Sequence, residues 1–170
     1  MNGRKHIVSL ILIVLAVLLL TLQPVQAQTN RVSFTGTETS VADISPGVES
    51  FPGGKLYHVR GAVSSFAFSA TDPRVCGENL VTINWNFRFV DEPVFVTGPM
   101  WGTFVLTTSG GAWEGTWTGR RDENGYSYFH FTGAGTGGYA GMSIHFTSER
   151  LDPDPTQPES VSGFIVETGG

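Results

Sequence analysis

The sequence predicts an all-β fold, a single closed antiparallel β-barrel of about eight strands, with an open β-sandwich as the alternative. Three observations predict it. Apolar and polar residues alternate over several stretches with the period of two that a half-buried strand requires. The chain carries 22 glycines, and between Arg31 and Glu167 they fall with Pro, Asn and Asp at short intervals and leave no window long enough for a helical pattern. The candidate strands follow one another through links of a few residues, so neighbours in sequence become neighbours in the sheet, and closure removes the exposed edges.

The chain opens on a different pattern. Arg4, Lys5 and His6 precede an almost wholly apolar run over residues 7–22, and polarity returns at Pro24 and Gln26. This is the layout of a secretory signal, and Val25 and Ala27 occupy the small-residue positions before a cut that leaves Gln28 first. The run is roughly 16 residues, short of the ~20 that a helix needs to cross the hydrocarbon core. No cysteine stands near the cut to carry a lipid. The expectation is therefore a signal peptide over residues 1–27, a single barrel domain over residues 28–170, a secreted (extracellular or periplasmic) product, and no stable membrane anchoring after cleavage.

Within the domain the first strands are expected over residues 32–39, 55–60 and 62–70, separated by the loop from Pro46 to Gly54 and by Gly61. The clearest strand covers residues 80–90. There Val81, Ile83, Trp85, Phe87 and Phe89 share one face, and Thr82, Asn84, Asn86 and Arg88 share the other. Residues 100–108 are rich in β-branched and aromatic side chains, and Ser109-Gly110-Gly111 links them to a partner over residues 112–120. In that partner Trp113, Gly115, Trp117 and Gly119 lie on one face, Glu114, Thr116, Thr118 and Arg120 on the other. The turn Asp122-Glu123-Asn124-Gly125 leads into a strand over residues 126–132. A glycine cluster precedes a strand over residues 140–150, and a proline-containing loop over residues 152–158 precedes the last strand, 161–168. Gly102 and Gly115 inside strands favour the barrel, since closure needs tight bends.

Gly102-Thr103-Phe104-Val105-Leu106, Trp113-Glu114-Gly115-Thr116-Trp117 and the run from Gly133 to Gly141 together resemble the hairpin and glycine-rich connection of the allene oxide cyclase and dirigent-like barrels. The likeness covers about residues 100–146. Asp72-Pro73-Arg74-Val75 and Gly98-Pro99-Met100-Trp101-Gly102 are similar to segments of secreted bacterial barrels of this type. The resemblance implies a barrel whose lumen acts as a mould, either closing a ring in a fatty-acid epoxide or orienting phenoxy radicals. No position here matches the polar catalytic residues of those proteins, so it carries over no catalytic role.

Composition excludes some functions. The formal charge is −5 with the signal included, and the basic side chains are scattered, so nucleic acid is not an expected partner. Cys76 is the sole cysteine, which rules out an internal disulfide; burial as a small apolar filler is the expected role rather than reactivity. The glycine run lacks the following helix that a phosphate cradle needs, and no G-x-S-x-G turn exists. His58, His130 and His145 match no metal-ligand spacing, so neither a metal nor another cofactor is expected.

Three readings of function remain open at this stage. The first is a binding module in which Trp85, Phe87, Trp113, Trp117 and Tyr128 surround a small hydrophobic ligand. The second is a structural barrel whose aromatic faces fill a solid core. The third is an isomerase or cyclase of a lipid-like substrate. There Glu114 and His130 would form an acid/base pair if their faces coincide inside the barrel, with Arg88 as a polar guide; a solvated outer face is the simpler reading of Glu114.

Overall fold

The computed structural model describes residues 29–90, 95–152, 154 and 156–168; the signal segment and cleavage site expected from sequence lie outside the described residues. Nine strands follow in chain order: β1 (Thr29–Ser45), β2 (Val48–Ser50), β3 (Leu56–Ala70), β4 (Gly77–Val90), β5 (Phe95–Thr108), β6 (Gly111–Arg121), β7 (Ser127–Gly137), β8 (Ser143–Arg150) and β9 (Glu159–Thr168). From β3 to β9 each strand pairs antiparallel with the next, β9 pairs with β1, and β1 pairs with β3. Eight strands thus close into a barrel, and β2 is the ninth, lying outside the ring.

β2 has a simple origin. β1 runs along β3 from Gly36 opposite Ala70 to Ser45 opposite Val63. Pro46 cannot donate to a ladder, and Gly47 takes φ 71°, so pairing breaks there. It resumes as Val48 opposite Arg60, and β2 therefore prolongs the line of β1 on the same edge of β3. Alternation over three residues is too short to predict a strand, which is why the sequence shows only a loop here.

Other boundaries shift for identifiable reasons. The strands expected over residues 55–60 and 62–70 are one strand, because Gly61, at φ 70°, forms a bulge between Val59 and Ala62 rather than ending the ladder. The glycine cluster is not wholly a turn. Gly133 and Gly135 belong to β7, where a Cβ on Gly133 would meet Phe104 Cζ and Glu114 O at 2.8 Å. The turn itself lies between Gly137 and Gly141, at φ 62° and 85°. Tyr126 stands before β7, its N–H donating to Asp122 Oδ1 at 3.0 Å.

Parity decides which side chains fill the barrel. Along β6 Trp113, Gly115, Trp117 and Gly119 face inward, so large and absent side chains alternate and leave room for rings from the neighbouring strands. One half of the lumen is packed solid. Phe104 meets Phe131 and Phe146 edge-on at 5.4 and 5.6 Å between centroids, and Phe131 stacks on Phe146 at 4.3 Å. The adjoining end is plugged by the 3₁₀ turn Pro73–Val75, with Val75 fully buried. Trp113 stacks on Tyr139 and donates from Nε1 to the carbonyl of Arg74 at 2.8 Å, tying wall to plug. Arg74 is held by Asp72 at 2.7 Å and by Glu167 of β9. Cys76 is half-buried beside this turn rather than fully enclosed, its Sγ donating to the carbonyl of Ala70 at 3.3 Å.

Candidate functional site

The opposite half of the lumen is not filled. A cavity of about 510 Å³ occupies it, open at the end where β2 prolongs β1. Two kinds of residue line it. Val81, Ile83, Trp85 and Phe87 come from β4, Met100 from β5, Trp117 from β6, and Phe129 and Phe131 from β7, forming an apolar and largely aromatic wall. Glu38 of β1, Arg121 of β6, Ser127 of β7, Arg150 of β8 and Glu159 of β9 supply a polar side.

The polar side originates in strand pairing. β9 ends its ladder with β1 at Glu159 opposite Glu38, and both are buried. Two carboxylates opposed across a ladder repel each other, and burial denies them water. Glu38 accepts from Asn79 Nδ2 at 2.6 Å, while Glu159 accepts from Ser148 Oγ at 2.6 Å and pairs with Arg150. The partners are unequal. Arg150 neutralises Glu159, and burial first, then repulsion from Glu159, raises the pKa of Glu38 to about 7 against an ordinary 4.5. Near neutral pH this carboxyl is therefore able to give or take a proton inside an apolar cavity.

Donors without partners complete the picture. The Nε atoms of Arg121 and Arg150 and the indole Nε1 of Trp85 are buried with no hydrogen-bond partner, as is the acceptor Oδ1 of Asn79. Buried polar groups in native proteins are nearly always paired, so this concentration around one cavity is informative. Burial and the neighbouring charge of Arg150 lower the pKa of Arg121. At the rim Tyr57, Phe51 and Phe89 form a cluster of three near-parallel rings, with Tyr57 at 5.1 Å from Phe51 and 6.3 Å from Phe89, and Tyr57 donates from Oη to Glu49 at 2.8 Å.

The residues singled out from sequence distribute unevenly. Trp85, Phe87 and Trp117 line the cavity. Trp113 belongs to the packed end and does not line it, because the inward stripe of β6 runs the whole length of the barrel. Tyr128 is exposed on the outer face. Glu114, His130 and Arg88 are also exposed, with Arg88 paired to Glu123 at 3.3 Å. Glu114 lies opposite Ala134 and His130 opposite Thr118, so the two are offset along the β6–β7 ladder and make no hydrogen bond with each other. The lumen does not receive this trio, since aromatic neighbours occupy the inward parity on each strand. His130 and His145 sit along an outer groove, where Phe164 is covered by Arg31 at 3.3 Å and by the ring of His145 at 5.0 Å. His58 lies on β3, opposite Asn86 of β4, and no group of three or more metal-ligating side chains exists among the described residues.

Glu38, Asn79, Arg121, Ser148, Arg150 and Glu159 were not singled out from sequence, although a signal existed. Continuing the inward parity from Phe34 reaches Glu38, from Phe146 reaches Ser148 and Arg150, and from Gly119 reaches Arg121. No family model, curated protein or solved structure matches the chain.

Proposed function

We propose that this is a secreted, non-catalytic binding protein that holds one small hydrophobic molecule in the open half of its barrel. The observation that carries the reading is the half-filled lumen. A cavity of about 510 Å³ walled by aromatic side chains lies beside unsatisfied buried donors. Its size is in the range of small-molecule sites, and a few polar groups in an apolar wall are how such sites fix orientation. A barrel serving only as structure gains nothing from leaving this volume unpacked, because empty interior forfeits dispersion contacts. The apolar segment over residues 7–22 supports export.

A second reading is favoured by one specific feature. Glu38 changes protonation near pH 7 within the cavity, as an acid/base group of an isomerase or cyclase would. The resemblance of residues 100–146 to allene oxide cyclase and dirigent-like barrels points the same way. In this reading Glu38 takes the role that the sequence offered to Glu114 and His130.

Native mass spectrometry of protein purified from its own host tests the first reading. A retained small molecule that Ile83→Trp excludes is the expected result; a wild-type protein free of any ligand and unable to take one up would refute it.

A further inference from the structure

We infer that the cavity is selective for aromatic carboxylates, with Arg121 as the anchor for the anionic group; this rests on the ligand-binding reading above and names its ligand class. Arg150 is committed to Glu159, and Asn79 and Ser148 are committed to Glu38 and Glu159. Asp43 is engaged by Ser64 at 2.8 Å and Glu49 by Tyr57 at 2.8 Å. Of the cavity's two cations, Arg150 is paired and Arg121 has no ion pair with any described residue, and the Nε of Arg121 is buried without an acceptor. Arg121 is half-buried on the polar side of the cavity, between the like charge of Arg150 and the smaller opposing influence of Asp122, and its planar fork matches a carboxylate.

The wall supplies the second half of the argument. Tyr57, Trp85, Phe87, Trp117, Phe129 and Phe131 all face this one space. Trp85 stacks on Phe87 at 5.3 Å and Trp117 on Phe131 at 5.8 Å, so the rings stand in ordered sets with fixed faces and edges. Such walls reward a flat ring, which gains offset and edge-to-face contacts, over an alkyl chain that must give up rotamer freedom to pack against them. The indole N–H of Trp85, buried and unpartnered, provides a further donor for a ring substituent or a carboxylate oxygen.

Isothermal titration of the mature protein with 2-naphthoate, 2-naphthylmethanol and decanoate separates the possibilities. The naphthoate should bind at least tenfold more tightly than the neutral carbinol and than decanoate. In Arg121→Met the naphthoate should lose about tenfold or more while the carbinol loses far less, so that its advantage disappears; Arg121→Gln provides the same comparison should the methionine variant fold poorly. An advantage of naphthoate over carbinol that survives both substitutions, or is absent from the wild type, overturns the anchor. Equal binding of decanoate and naphthoate overturns the preference for a ring. Carbinol binding without any naphthoate preference leaves the ligand-binding reading standing, whereas no binding by any of the three removes it as well.

Discussion

The two halves of this barrel are built from the same eight strands and the same alternation, yet one is solid and the other hollow. In the plugged half the inward positions carry Phe34, Phe68, Phe104, Phe146, Ile144 and Ile165, all buried and in mutual contact. In the open half the same stripes end in Glu38, Arg121, Arg150 and Glu159. Both halves are walled by the same strands, and the difference between them lies in the inward side chains and in the turn Pro73–Val75 that plugs one end. One end is specified for stability and the other spends stability on a polar cavity.

That contrast is sharpest in truncation. Phe104→Ala in the solid half should cost about 4 kcal/mol, the transfer and cavity terms of a buried phenylalanine. Trp85→Ala, whose ring already borders empty space, should cost less than half as much while weakening ligand uptake. Urea midpoints of the two variants provide the comparison, and similar losses would show that the open half is packed as tightly as the closed one.

The halves should also respond oppositely to pH. Glu38 has its folded pKa raised to about 7 from 4.5, so its contribution is fully present below about pH 4.5 and is lost as pH rises through 7. The difference corresponds to roughly 3 kcal/mol. Glu38→Gln should abolish this loss and be more stable than wild type at about pH 8 in urea unfolding. At the plugged end Asp72 has its pKa lowered below 3.8, chiefly by its hydrogen bonds with Arg74. Its contribution is present above that value and fades as pH falls through the depressed one. Arg74→Met should remove it, costing about 2 kcal/mol at neutral pH because Asp72 is left buried without its partner. The smallest effect belongs to Arg88→Ala. Its pair with Glu123 is exposed on both sides, and the loss should stay within about 0.5 kcal/mol.

The dry face of each strand was legible in sequence, and the reason is physical. Period-two patterns mark a strand wherever one face is dry, and the rings of β4 and β6 announce that face. Registry is not written there. Glu38 and Glu159 stand far apart in the chain and become neighbours only because β9 closes onto β1, so neither carboxylate looks unusual alone. Trp113 and Trp117 share one stripe and could not be told apart from periodicity, since depth along the barrel depends on how the strands are staggered. Glu114 and His130 attracted notice as reactive side chains near aromatics, whereas pairing places both on the wet face.

The hollow half is tested most directly by titrating N-phenyl-1-naphthylamine, a neutral dye that fluoresces in apolar surroundings, into residues 28–170 of the wild-type protein and of the Ile83→Trp variant. Saturable binding at one site per chain in the wild type, lost when the tryptophan fills the space, is the predicted result. Absence of saturable binding, or binding that the filled variant retains undiminished, would contradict a ligand cavity inside the barrel.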